Sequence, residues 1–149
     1  MNLYWHVYVR RETIFAPVVA ETPSGYMDMD PVAVFSARDW HRVRGFVSHV
    51  LNSGNPPAPG YLRHEFPRPQ AFAGSGVYTW SAFKKGAAAI GWSISDDAYR
   101  VDYIKDMGAV GPAGYEPVVV AEFQPRVSED EFVDCILQYL RKACDAQRG

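Results

Sequence analysis

The sequence predicts an α+β protein, with a mainly antiparallel sheet of about six strands and two amphipathic helices, one after the third strand and one at the C-terminus. Two groups of three strand-like segments are each followed by a helix-like segment. Connections between consecutive strands are mostly short turns, which favours antiparallel pairing. Hydrophobic residues make up 48% and aromatic residues 14% of the 149 positions, enough for one sizeable core. We therefore expect a single domain over residues 1–149.

The first three strands are predicted from β-branched and aromatic residues that lie between turn signals. They are "LYWHVYVRR" (3–11), "TIFAPVVAE" (13–21) and "GYMDMDPVAVF" (25–35). Pro17 and Pro31 lack the backbone N–H that a sheet ladder needs. Each is therefore expected at a sheet edge or at a bulge.

The first long helix is predicted directly after the third strand. Ser36, with Asp39 three residues later, resembles a capping box that begins a helix. The segment that follows, "ARDWHRVRGFVSHVLNS", repeats apolar residues at helical spacing. We expect it to pack onto the sheet through Trp40, Val43, Phe46, Val47, Val50 and Leu51.

Residues 52–76 are predicted to form a long loop, because they contain five Pro and four Gly and show no clear period. Structureless loops of this length are uncommon in compact domains, and those that occur are usually functional or mobile. This one contains Tyr61, His64 and Glu65, so we expect it to do more than connect two segments.

The second group of strands follows a short helix that we expect around residues 81–85 and that Gly86 would end. Alternating apolar residues over 90–94 and 99–103 predict a hairpin with its turn at Asp96 and Asp97. The segment "PVVVAEF" (117–123) predicts one more strand.

The last helix is predicted from Ser128 to about Ala143, because Ser128 and Glu131 have the spacing of a capping box. Its two cysteines, Cys135 and Cys144, are nine positions apart and so lie about 13 Å apart along the axis. No disulfide can join them within that helix. The apolar stripe predicted to face the sheet is Phe132, Val133, Ile136, Leu137, Tyr139 and Leu140.

The charge is close to balanced, with a formal net charge of −2. Nucleic-acid binders usually carry a basic patch, so we expect no nucleic-acid partner. Residues 76–149 hold 8 Lys/Arg against 11 Asp/Glu, a balance of −3, so a partner of this half is expected to be basic. The N-terminal "MNLYWHVYVRRE" lacks the apolar core of a signal peptide, and nothing later reaches the length of a membrane span. We therefore expect a cytoplasmic protein without a membrane partner.

Asp28 and Asp30 are the first candidate site residues. On a strand, side chains at i and i+2 leave the same face about 6 to 7 Å apart. Paired carboxylates at that distance can flank a metal or a reacting bond. Neither a His nor a third carboxylate lies nearby at a telling spacing, so a solvated face or a contact with a partner is favoured over catalysis.

Two further groups of residues are candidates for contact with a partner. His64 could exchange protons near neutral pH, but Glu65 is its neighbour in sequence and is poorly placed to orient it. Asp96, Asp97 and Asp102 gather acid on one hairpin, either as a solvated tip or as a patch that attracts a basic partner.

The remaining ionisable residues form no recognised site. His6 stands alone in an aromatic strand and is interpreted as a packed residue. His41 and His49 are eight positions apart, which is not the spacing of a shared metal site on a helix. Phosphate-binding glycine motifs, zinc motifs and nucleophile motifs do not occur in the sequence. We expect no cofactor, no metal and no catalytic residue.

The chain resembles, in general character, the immunity proteins that bacteria carry beside polymorphic toxins, including those of contact-dependent growth inhibition. The segments that carry this resemblance are "YWHVYVRRE", "GYMDMDPVAVF", "AIGWSISDDAYRVDYIKD" and "VVVAEFQPRVSEDEFVDCILQYL". The resemblance implies a protein that neutralises one cognate toxin, often a nuclease, by direct contact. Aromatic anchors and acids that attract a basic toxin would serve that purpose. The partner-binding residues expected are Asp28, Asp30, Tyr61, His64, Glu65, Asp96, Asp97 and Asp102.

Two other classes of function compete with this interpretation. One is a small hydrolase-type enzyme that brings Asp28 and Asp30 together with His64 and Glu65. The other is a small-molecule or peptide binder, with a pocket lined by Tyr61, Trp80 and Trp92. We favour a binding protein over an enzyme, and we expect its polar side chains to lie on the outer surface without an inward-facing reactive cluster.

Overall fold

The computed structural model describes residues 2–23, 25–58, 80–109 and 118–147. Within them lies a six-stranded antiparallel sheet with long helices after the third strand and near the C-terminus, so the predicted fold class is confirmed. The strands are β1 (Leu3–Arg10), β2 (Thr13–Thr22), β3 (Gly25–Ser36), β4 (Ala87–Ile94), β5 (Tyr99–Ile104) and β6 (Val118–Phe123). The helices are α1 (Trp40–Ser53), α2 (Trp80–Lys84) and α3 (Glu129–Ala146), and a 3₁₀-helix spans Met107–Ala109.

The sheet joins two antiparallel meanders side by side, in the order β3-β2-β1-β4-β5-β6. The first strands of the two meanders, β1 and β4, pair along their whole length from Leu3 opposite Ile94 to Arg10 opposite Ala87. Each meander is followed by a long helix, as the order of segments in the sequence predicts. The first strand of each meander therefore lies at the centre of the sheet.

Both long helices pack on one face of the sheet, which we call the helical face. Val43, Val47 and Val50 of α1 are buried there, and α3 contacts β1, β4 and β5. The ring of Phe46 in α1 meets the rings of Trp5 and Phe35 at centroid distances of 6.2 and 5.3 Å. The apolar stripes predicted for the two helices are thus the surfaces that close the main core. None of the helices in the described ranges is both long and apolar enough to cross a membrane.

The opposite face of the sheet, which we call the second face, is also largely covered. Phe83 of α2 is fully buried and meets the rings of Tyr8 and Phe15 edge-on, at 5.9 and 5.2 Å. Met107 and Ile104 complete this smaller apolar cluster. Alternation along β1 assigns Leu3, Trp5, Val7 and Val9 to the helical face and Tyr4, His6, Tyr8 and Arg10 to the second face.

β1 and β2 pair only near the turn that joins them, from Tyr8 opposite Phe15 to Arg10 opposite Thr13. Further along, the Asn55 side chain connects them: it accepts from the Tyr4 N–H at 3.1 Å and donates to the carbonyls of Tyr4 and Val19 at 2.7 and 2.8 Å. The Asn55 side chain therefore replaces part of the hydrogen-bond ladder between β1 and β2.

The pairing of β2 with β3 shifts between Pro17 and Val18, as the bulge predicted for this proline requires.

The two helix starts test the predicted capping boxes. Ser128 caps α3 as predicted, since its side chain accepts from the Glu131 N–H at 3.2 Å. The prediction for α1 is wrong by one turn: Asp39 is the cap and accepts from the Arg42 N–H, whereas Ser36 is the last residue of β3. β3 extends through Ser36, the residue that the sequence pattern assigned to the start of α1.

Candidate functional site

The most concentrated group of ionisable side chains lies on the second face, where His6, Tyr8, Asp28 and Asp102 form what we call the polar row. His6 Nε2 lies 2.5 Å from Asp28 Oδ1, and the Tyr8 hydroxyl donates to Asp28 Oδ2 at 2.5 Å. The same hydroxyl is 3.2 Å from His6 Nε2. An ionised carboxylate can only accept hydrogen bonds, so with Asp28 ionised the donor of this contact is Nε2 of His6. Asp28 thus joins the edge strand β3 to β1, with β2 between them.

Asp102 enters the row from the other side. His6 lies opposite Gly91 in the β1–β4 register, and Gly91 lies opposite Asp102 in the β4–β5 register. The Asp102 carboxylate occupies the space beside Gly91: a Cβ at that position would come within 2.9 Å of Asp102 Cγ. β5 and β6 also shift their register between Val101 and Asp102. Four strands of the sheet thus contribute: β3, β1 and β5 supply the side chains of the polar row, and Gly91 of β4 leaves the space that the Asp102 carboxylate fills.

All four side chains of the polar row are shielded from solvent. Asp102 is 7% exposed and Tyr8 6%, while the side chains of His6 and Asp28 are 12% and 14% exposed. Burial raises the pKa of Asp102 to about 6, against the opposing effects of the His6 charge and a hydrogen bond from the Gly91 backbone. His6 Nδ1 is buried without a hydrogen-bond partner among the described residues. The row is therefore a compact, shielded cluster of ionisable side chains.

Aromatic rings continue from the polar row toward one end of the sheet. The Tyr4 ring meets the rings of His6 and Tyr26 at 5.3 and 5.4 Å. Tyr26 is 40% exposed, and desolvation together with the Glu21 charge raises its pKa. Beside it lies an open depression of about 420 Å³, which we call the aromatic depression, lined by Asn2, Leu3, Tyr4, Tyr26, Ser93, Ile94 and Ser95.

Exposed acids gather at the same end of the sheet. The turn after β4 carries Asp96 and Asp97, and it directly follows Ser95 of the aromatic depression. The first turn of α3 comes to this end because the Phe132 ring packs on Tyr99 and Phe123, at 5.3 and 5.9 Å. We call this surface the acidic end; its exposed acids are Asp96, Asp97, Glu129, Asp130 and Glu131.

Several acids of the acidic end have local structural roles. Three of them occupy the first turn of α3, where negative charge favours the helix dipole. Glu129 accepts from the Asn52 amide at 2.8 Å, and Arg44 lies 4.0 Å from Asp130. Arg126 is an exposed basic residue in the turn that leads into the helix. The acidic end therefore has a net negative charge, which the nearby Arg44 and Arg126 reduce.

A cavity of about 700 Å³ lies between α1 and α3 on the outer side of the helices. Its charges are largely matched. Arg44 forms an ion pair with Asp134, and the Arg141 guanidinium lies 4.9 Å from the centroid of the Trp40 ring. Because these charged side chains already contact residues of the neighbouring helix, the cavity resembles a contact between two helices more than a ligand site.

The structure places Asp28 and Asp30, the two aspartates of the predicted carboxylate pair, in different surroundings. Asp28 is shielded and bound to His6 and Tyr8, so the expectation of a solvated face is wrong for this residue, while its predicted contact with a partner stays a prediction. Asp30 is exposed and follows in the stretch where the β2–β3 register is interrupted. An irregular strand does not keep i and i+2 on one face, which is why the simple alternation failed.

Asp102 also departs from the predicted acidic patch. Asp96 and Asp97 are exposed at the turn, as expected, but Asp102 is buried beside Gly91. The expectation of an outer surface without an inward-facing cluster of acids and imidazole is therefore wrong. A hairpin alternates its faces, so residues of one acidic segment divide between solvent and interior.

Other predicted site residues cannot join the polar row or lie outside the described residues. Trp92 is fully buried in the core of the helical face, so its own side chain does not line an open pocket. Tyr61, His64 and Glu65 fall within 59–79, outside the described residues, and their predicted roles stay predictions.

His6 was interpreted from the sequence as a packed residue, and its ring does pack between Tyr4 and Tyr8. Its contact with Asp28 was missed, because the two residues are 22 positions apart and share no motif. The position of His6 opposite Gly91 marks this part of the sheet, but it is visible only once the strands are paired. No group of three or more His, Cys, Asp or Glu side chains suited to hold a metal occurs among the described residues.

A scan of protein-family models found no match to the chain, and a search of curated proteins found none.

Proposed function

We propose that the protein is an immunity-type inhibitor that binds and neutralises a cognate bacterial toxin through direct contact. One observation carries the proposal: the acidic end borders the aromatic depression, so charge and an exposed ring occur on one surface. The toxin is inferred to present a basic surface, as many nucleases do. In this proposal the protein acts in the cytoplasm, where it would meet a toxin before the toxin reaches its target.

The acidic end supports a fast encounter with such a toxin. Clustered like charges on one partner attract the opposite charge on the other and raise the association rate, with a strong dependence on salt. Asp96 and Asp97 are exposed at the tip of the hairpin that joins β4 to β5. Charge of this kind affects the rate of encounter more than the lifetime of the complex.

The aromatic depression supports a stable contact after encounter. Tyr26 is 40% exposed and tilts against Tyr4, so two rings form one wall of an open hollow. Tyrosines in such positions are common anchors of protein interfaces. Because the Glu21 charge acts on Tyr26, the hollow suits a Lys or Arg side chain of the toxin.

The test uses the product of the reading frame directly upstream of the gene for this chain, which the proposal takes to be the toxin. Both proteins are purified, and association and dissociation rates are measured at low and high salt. Replacing Asp96 and Asp97 together by Lys is expected to slow association at least about tenfold at low salt, and less at high salt. Tyr26→Ala is expected to increase the dissociation rate and weaken binding about tenfold or more.

A matched control reverses the same kind of charge elsewhere. Asp145→Lys changes an exposed acid near the far end of α3 and is expected to leave both rates nearly unchanged. Rates for the Asp96 and Asp97 variant equal to those for Asp145→Lys would remove the acidic end from the interface. Failure of the wild-type protein to bind the toxin domain or to protect cells that express it would reject the proposed function itself.

A second candidate function, acid–base catalysis at the polar row, is favoured by one specific observation. The imidazole that the enzyme hypothesis sought in His64 is instead supplied by His6, in contact with Asp28 and Tyr8. The hypothesis is tested with chromogenic ester and phosphodiester substrates and the His6→Gln variant. Turnover that the variant loses would support an enzyme, and absence of turnover in the wild-type protein would favour the inhibitor.

A further inference from the structure

We propose that the end of the sheet opposite the acidic end binds a small phosphorylated molecule through Arg10 and Lys85. The inference goes beyond the proposed function, because it concerns a different surface and does not depend on a toxin. Three observations carry it: an excess of cations at this end, a guanidinium held in place without an ion-pair partner among the described residues, and the net negative charge of the chain as a whole.

The cations gather at the end of the sheet where β1 and β5 finish and β4 begins. β1 ends at Arg10, which lies opposite Ala87 at the start of β4. β5 ends at Ile104, opposite Ala89, so the residue that follows leaves the sheet at the same end. β4 is eight residues long, which places this end about 25 Å from the acidic end. We call it the basic end; its cations are Arg10, Arg11, Lys84, Lys85 and Lys105.

Acidic residues balance only part of the charge of the basic end. Glu12 and Asp106 are exposed there, and Asp106 Oδ1 accepts from the Gly108 N–H at 2.9 Å. Among the described residues, no acid forms an ion pair with any of the five cations. Five cations and two acids leave this surface with a net positive charge, which attracts anions.

Arg10 is the cation whose position is best defined. A Cβ at Gly86 would lie 3.4 Å from Arg10 Nε and 3.7 Å from both Cζ and Nη2, so the guanidinium passes directly over the glycine. Nε is buried and has no hydrogen-bond partner in the described parts of the chain. A guanidinium that is already held in place loses less conformational freedom when it binds a ligand. A shielded charge without a partner also gains more from an anion than a solvated charge does.

Lys85 adds a second cation beside the same glycine. It directly precedes Gly86 and is exposed. The backbone of Lys85 is fixed from the other side by the 3₁₀-helix, because a Cβ at Gly108 would lie 3.0 Å from Lys85 Cα. A long side chain on a fixed backbone can direct its ammonium group toward an anion that contacts Arg10.

The chemistry of these two groups favours phosphate. The planar guanidinium donates to two oxygens at once, and the ammonium adds a compact charge with further donors. A phosphate or diphosphate group carries enough charge and enough oxygens to engage both, whereas a single carboxylate carries less of each. The chain has a formal net charge of −2, so the surface beyond the basic end repels a long polyanion. A small phosphorylated molecule is therefore favoured over a nucleic acid.

The experiment titrates the protein with inorganic pyrophosphate at constant ionic strength and follows the backbone amides and the Arg10 Nε–H by NMR. Saturable shifts are expected at Arg10, Lys85 and Gly86. Arg10→Gln and Lys85→Gln are each expected to weaken binding about tenfold, because each removes a charge-assisted contact. Arg10→Lys is expected to weaken binding less than Arg10→Gln, since it keeps the charge and loses only the planar fork.

Arg126→Gln is the matched control, because Arg126 is an exposed cation beside the acidic end. It is expected to leave pyrophosphate binding unchanged. Lys85 is exposed, so Lys85→Gln tests the proposal even if Arg10→Gln fails to fold. Absence of saturable shifts in the wild-type protein would overturn the proposal, as would equal weakening by Arg126→Gln. Shifts that sodium chloride reproduces, or binding of a single-stranded oligonucleotide without binding of pyrophosphate, would also overturn it.

Discussion

The carboxylate of Asp102 lies where a side chain on Gly91 would otherwise stand. A Cβ at Gly91 would come within 2.9 Å of both Cγ and Oδ2 of Asp102, closer than real Cβ atoms approach other groups. The two residues are direct partners in the β4–β5 register. The glycine in the middle of a buried strand is thus explained by the acid opposite it, and the acid has room because the glycine is there.

Gly91→Ala is expected to destabilise the protein by about 1–3 kcal/mol, because the new methyl group overlaps a carboxylate held on the adjacent strand. Denaturant unfolding measures the change. The double variant with Asp102→Ala is expected to recover much of the loss, since the overlap is then absent. A cost of Gly91→Ala that is the same with and without Asp102 would show that the two residues are not coupled.

Gly45→Ala is the matched control for a glycine in regular structure. Gly45 lies in the middle of α1, exposed, and a Cβ there would meet nothing within 4 Å. The substitution is expected to stabilise the protein by up to about 1 kcal/mol, because alanine favours the helix. The same change from glycine to alanine should therefore have opposite signs at positions 45 and 91.

Asp102→Asn is expected to change how stability depends on pH. Burial raises the pKa of Asp102 from its ordinary value of 3.8 to about 6, so the folded protein binds this proton more tightly than the unfolded chain does. Wild-type stability should consequently fall as the pH rises from about 4 to above 6. The difference corresponds to about 3 kcal/mol at most, and Asn should remove this part of the pH dependence.

The measurement compares unfolding free energies of the wild-type protein and Asp102→Asn at pH 4 and pH 8. The variant is expected to gain stability relative to the wild-type protein at pH 8 but not at pH 4. Asp97→Asn serves as the control, because Asp97 is exposed in a turn. If the Asp102 variant behaved like the Asp97 variant at both pH values, burial of the Asp102 charge would not affect stability.

Asn55→Ala is expected to cost about 2–4 kcal/mol, because three backbone groups of Tyr4 and Val19 lose their partner where β1 and β2 separate. Hydrogen exchange of the Tyr4 amide should become faster. Asn52→Ala, which removes contacts of an exposed amide with Ser48 and Glu129, is expected to cost less than about 1 kcal/mol. Equal costs for the two changes would contradict the bridging role of Asn55.

Ser128→Ala is expected to destabilise the protein by about 1 kcal/mol through loss of the α3 cap. Ser36→Ala should cost less than about 0.5 kcal/mol, because Ser36 ends β3 and does not cap α1. Thermal unfolding of the two variants distinguishes a true cap from one suggested by spacing alone. A larger loss for Ser36→Ala than for Ser128→Ala would reverse the assignment.

The local sequence pattern was sufficient to predict the strands, turns and long helices, because each of them depends on residues that are close in sequence. The aromatic and β-branched run of β1, the Asp96–Asp97 turn and the Ser128 cap all lie where the sequence places them. The Ser36 cap failed because two local signals competed for one residue. A long strand and a helix start both fitted, and pairing of Ser36 with Thr13 decided for the strand.

The amino-acid sequence by itself determined the α+β class, the order of the elements and the faces by which α1 and α3 pack, since alternation and helical spacing depend only on neighbours in the chain. Only the tertiary structure decided that Asp28, His6, Gly91 and Asp102 form one row and that the acidic end meets the aromatic depression. These relationships follow from strand order and register, which bring His6 together with Asp28, 22 positions away, and place it opposite Gly91, 85 positions away. No local spacing encodes them, because the free energy that fixes the register is spread over the whole buried sheet.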